Sequence, residues 1–129
     1  MSFKNKLILW MEEALSGDIP EEVCAFSFNL FQPARVENVK FGIQLVGCDK
    51  FDEKDDYWPC NEIWEPKNRN LYIPIKISGE SWEDCQDVML RELKEILNMD
   101  YKFNTVLKSK LGIGLGFVDG DLFIIFKRG

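Results

Sequence analysis

The stretch Gly112-Ile113-Gly114-Leu115-Gly116-Phe117-Val118-Asp119-Gly120-Asp121-Leu122-Phe123-Ile124-Ile125-Phe126 restricts the fold more than any other part of the chain. Three glycines alternate with apolar residues, so in a strand all three fall on one face. That face is bare backbone, which a helix or a bulky side chain from elsewhere can approach closely. Asp119-Gly120 is a pair suited to a two-residue type I′ turn, so 112–118 and 121–127 read as a hairpin. Leu122 through Phe126 are apolar on both faces, which predicts a strand in the middle of a sheet. The glycines do not make a phosphate loop. Phe117 stands where the last glycine of G-x-G-x-x-G belongs, and a strand follows instead of a helix.

The rest of the chain supplies partners for that hairpin. Residues 3–16 place Phe3, Leu7, Trp10, Met11, Ala14 and Leu15 at helical spacing, after a capping Ser2. Residues 23–31 alternate as a strand through Cys24, Phe26, Phe28 and Leu30, and Val39, Phe41, Ile43 and Leu45 repeat the pattern, so the two predict an antiparallel pair. Residues 71–77 read as an edge strand or a bulged one, because Pro74 has no N–H to donate. A long helix follows over 81–98. Ser81 caps it, acids fill its first turn, and Trp82, Cys85, Met89, Leu93, Ile96 and Leu97 form its apolar stripe. A shorter helix covers 101–110. Trp10 and Trp82 are both expected in the core. The 129 residues suit one domain, with no repeat or linker to divide them. The expected fold class is α+β: a single domain over 1–129, a largely antiparallel β-sheet packed against helices, in the order α-β-β-β-α-α-β-β.

Between the second and third strands lies an acidic-aromatic insert at about 48–66, CDKFDEKDDYWPCNEIWEP. Its seven acids against two lysines account for five of the six net negative charges of the chain. Tyr57, Trp58 and Trp64 sit among those acids. Two readings stand side by side. Asp52, Glu53, Asp55, Asp56 and Glu62 could steer a basic partner while Tyr57, Trp58 and Trp64 anchor it. Alternatively the aromatics fold back onto the core and the acids solvate a long loop.

Several chemistries are excluded by residue type. The chain has no histidine, which removes the commonest general base and every Ser-His or Cys-His arrangement. Cys24, Cys48, Cys60 and Cys85 lack the close pairing of a zinc site, and the insert lacks the calcium-loop pattern. No cofactor, metal or catalytic residue is expected, and no enzyme. Excess negative charge argues against nucleic acid or an anionic membrane as partner. The opening MSFKNKLILWMEEALSG is interrupted by Glu12 and Glu13 and does not read as a secretory leader, so a cytoplasmic protein with reduced thiols is the expectation.

The run Asp55-Asp56-Tyr57-Trp58-Pro59-Cys60-Asn61-Glu62-Ile63-Trp64, the closing Gly116-Phe117-Val118-Asp119-Gly120-Asp121-Leu122 and the α+β order together resemble the small cytosolic immunity proteins of bacterial polymorphic toxin systems. The resemblance implies a non-enzymatic protein that binds and neutralises a cognate toxin domain, basic and often a nuclease. The other class left open is a small-molecule-binding domain or minor enzyme using a pocket between sheet and helices.

Overall fold

The computed structural model describes residues 1–129. Helix α1 (Phe3–Ala14) starts where Ser2 accepts the Asn5 N–H, and it buries Leu7, Trp10 and Met11. Strands β1 (Ala25–Phe31) and β2 (Val39–Cys48) form the expected antiparallel pair, with Ala25 opposite Cys48 and Phe31 opposite Gly42. Two short strands share the outer edge of β2. Strand β3 (Glu62–Trp64) meets its end at Gly47 and Cys48, and β4 (Asn70–Pro74) pairs along Val39–Gln44. Helices α2 (Ile75–Ser78), α3 (Trp82–Leu97) and α4 (Lys102–Lys108) follow, and β5 (Gly112–Phe117) and β6 (Leu122–Lys127) close the chain. The sheet runs β3-β2-β1-β5-β6, with β4 beside β2. It is antiparallel except where β1 lies parallel to β5. The fold is therefore α+β, and no helix is long and apolar enough to cross a membrane.

Helices α1, α3 and α4 cover one face. Trp10, Met11, Met89, Leu93, Ile96 and Leu107 pack there against Phe26, Phe28, Leu30, Ile43, Leu45, Ile113 and Leu115. Asn104 joins two of the helices, donating from Nδ2 to the Ile96 and Met99 carbonyls at 2.8 and 2.9 Å. Those carbonyls lie at the end of α3, where the helical ladder runs out, and Ile96 also accepts the Met99 N–H at 3.0 Å.

Four expectations need correction. The apolar strand β6 is at an edge, not in the middle, because β1 takes the other side of β5. Its two apolar faces have a different cause: both faces of the sheet are covered, Ile125 and Phe126 lying on the helix side and Leu122 and Ile124 on the other. The strand expected over 71–77 stops at Pro74, and Ile75–Ser78 turns into a helix. There Ile75 N–H donates to the Asn38 carbonyl at 2.7 Å instead of extending the ladder. The β5–β6 connection is not the two-residue I′ turn. Gly120 N–H bonds the Phe117 carbonyl at 3.0 Å, and neither Asp119 nor Gly120 takes the positive φ that such a turn requires. Finally, Trp82 is 52% exposed, because it opens α3 at the end of the sheet and not over its centre.

Candidate functional site

The second face of the sheet carries Ala25, Val46, Cys48 and the three glycines of β5, and the insert lies across it. Leaving β2, the chain places Phe51 directly over Gly112, where a Cβ would collide with the phenyl ring. Trp58 fills the next position. A Cβ on Gly114 would lie 2.9 Å from its Cζ2, and its ring meets Phe51 edge-on with centroids 5.2 Å apart. Trp58 is 1% exposed and packs with Ala25, Val46 and Cys48, flanked by Leu122 and Ile124. Its Nε1 donor has no partner. The bare glycine face thus accepts two aromatic rings from the insert.

Between those rings the chain bulges outward, and every residue from Asp52 to Tyr57 is exposed. Side chains shape the bulge from within. Asp52 accepts the Lys54 N–H at 2.9 Å, and Asp55 accepts the Tyr57 N–H at 2.9 Å. These are Asx turns, in which a short carboxylate replaces a backbone acceptor. A 3-10 turn at Trp58–Cys60 then leads into β3. Glu53 pairs with Lys127 of β6 at 2.9 Å. At the far end, Arg69 pairs with both Glu62 and Glu65 and donates from Nε to Gln44 Oε1 at 3.1 Å.

The eight residues singled out in the sequence therefore separate. Asp52, Glu53, Asp55, Asp56 and Tyr57 share the outward bulge. Glu62 is exposed but engaged by Arg69. Trp64 lies on the helix side, its ring 6.0 Å from Phe26 in an edge-on contact. Trp58 is buried and offers no contact surface, because the glycine groove holds it. Two residues escaped the sequence reading, Phe51 and Arg69, which tie the insert to the sheet. Phe51 had a signal: a run of strand glycines on one face calls for a bulky neighbour, and the insert is rich in aromatics.

The Cys48 thiol is buried beneath the insert. Burial pushes Cys48 up to about 12, and the nearby Glu62, Cys24, Asp49 and Cys60 add to the effect. Cys60 is exposed, and its C-terminal neighbours lead straight into β3. The outward bulge offers three carboxylates without an ion pair, those of Asp52, Asp55 and Asp56, beside an exposed tyrosine. Such a surface suits electrostatic docking of a cationic partner. No family model matches the chain, and no curated protein or solved structure is significantly similar to it.

Proposed function

We propose that the chain is a non-enzymatic binding protein whose insert docks against a basic surface, as an immunity protein does when it occupies a cognate toxin domain. The observation that carries this reading is the exposed run Asp52–Tyr57, fastened by the packing of half-buried Phe51 on buried Trp58 and, further along the insert, by the Arg69 ion pairs. A fastened acidic loop is preorganised, so binding does not have to order it first. Asp52, Asp55 and Asp56 supply the steering charge, and Tyr57 supplies an amphipathic contact of the kind enriched at binding hot spots. Trp58 serves the site from behind, as the wedge that holds the loop in shape. The resemblance to immunity proteins adds the class of partner, a basic toxin domain met in the cytoplasm of the producing cell.

The test is association kinetics with the product of the adjacent reading frame, which this reading expects to carry a toxin domain, at low and at physiological salt. The on-rate should fall with salt, and D52K/D55K/D56K should slow it by about tenfold or more. Unchanged kinetics in that variant would remove the site. Failure of the wild-type chain to form any complex would remove the function.

A further inference from the structure

A second feature lies at the opposite end of the sheet and does not depend on the insert. Where β1 and β5 finish beside the start of α3, a cleft of about 620 Å³ opens. That is within the usual range of ligand sites. Its floor is Leu30, Phe41 and Phe117, and Trp82 forms a wall. The three rings stand edge-on in series, Phe41 to Phe117 at 5.4 Å and Phe117 to Trp82 at 6.3 Å. Half of the Trp82 surface faces solvent. Asp119 and Asp121 line the rim, and neither takes part in an ion pair or a side-chain hydrogen bond.

The sign of the occupant follows from the charges. No lysine or arginine lines the cleft. The positive end of α3 is already satisfied, since Ser81 Oγ accepts the Asp84 N–H at 3.1 Å and Glu83 and Asp84 stand in the first turn. Among the lining residues an anion therefore finds no cationic side chain. A cation meets aromatic side chains and two carboxylates that make no ion pair, and Lys40, outside the lining, holds its Nζ 5.7 Å from the Phe41 ring centroid, as a cation drawn to these rings does. A guanidinium fits better than an ammonium. It is planar, stacks on aromatic rings, sheds water more readily and presents a fork of donors to carboxylates. We propose that this cleft accepts the arginine side chain of a peptide segment, stacked against Trp82 and Phe117 with its N–H groups directed to Asp119 and Asp121.

The probe is a blocked Gly-Arg-Gly peptide titrated into the isotope-labelled full chain and followed by NMR. The Trp82 indole and Gly120 amide resonances should shift together, with a dissociation constant on the order of 1 mM for so open a site. The same peptide with citrulline, which keeps the shape and loses the charge, should bind at least about fivefold more weakly. D119N/D121N leaves the turn residues similar in shape and should weaken the arginine peptide to a similar degree. D52N/D55N/D56N should leave the Trp82 shifts intact. An equal response to citrulline, shifts confined to the insert, or no shift at Trp82 would each overturn the assignment.

Discussion

Replacing Trp58 tests the central structural claim, that an aromatic wedge from the insert seals the glycine face. Trp58 is the largest fully buried side chain of the protein. Burying an indole removes about 150–250 Å² from water. At roughly 25 cal/mol per Å² that is worth about 4–6 kcal/mol. Compactness of the unfolded chain lowers the figure by roughly a quarter. The unpartnered Nε1 works against the fold, so deleting it returns about 1–2 kcal/mol. Trp58→Ala should therefore destabilise by about 2–3 kcal/mol, slightly below the usual range for such truncations. Trp58→Phe removes the orphan donor yet keeps a ring over Gly114, and should cost less than about 1 kcal/mol. Urea unfolding gives both numbers. Hydrogen exchange gives the location: amides of the 3-10 turn, such as Cys60 and Asn61, should exchange faster in Trp58→Ala by more than the global loss explains. An alanine variant within about 0.5 kcal/mol of wild type, or a phenylalanine variant less stable than the alanine one, would refute the reasoning.

Three further outcomes can be checked in the same assay. Gly116→Ala should cost about 2 kcal/mol or more, since its Cβ would run into the Asp121 carbonyl, whereas Gly17 has open space around it and Gly17→Ala should be neutral or slightly stabilising. Asn104→Ala should cost about 1 kcal/mol, measured by urea midpoint, because the Nδ2 bonds to the Ile96 and Met99 carbonyls are lost, while Ile96 keeps the Met99 N–H and the unpartnered Asn104 Oδ1 is removed. Burial pushes the Cys48 and Cys85 thiols up to about 12 from an ordinary value of 9.0. Between those values the unfolded chain loses protons that the folded chain keeps. The contribution of these two thiols should thus be constant well below pH 9 and decline as pH rises through and above it, which urea midpoints from about pH 8 to 11 will reveal.

The candidate site was partly legible before the fold was known. Asp52, Asp55 and Asp56 read as solvated from their density alone, and they are exposed. Trp58 and Trp82 read less well, because each is an indole among acids and local pattern does not separate them. Trp58 is sealed because Gly112 and Gly114, distant in sequence, leave a groove for it and Phe51. Trp82 stays half open because the sheet ends beside it. The role of Arg69 was invisible for the same reason, since it depends on Gln44 and Glu62 arriving from different strands.

Periodicity by itself determined the two longer helices, the alternating faces of β1 and β2 and the bare face of β5. Each of these is a property of neighbouring residues, and the backbone repeats of helix and strand translate them directly into a buried side. Only the tertiary structure decided that β1 lies parallel to β5, that β6 is therefore an edge, and that the insert closes the second face. Strand order depends on which long-range pairings bury the most apolar surface together. An apolar strand such as β6 reads the same from its own residues whether another strand or the covering layers above and below it do the burying. The glycine run announced that something bulky would lie on it, and the fold supplied Phe51 and Trp58, leaving the acids between them outside.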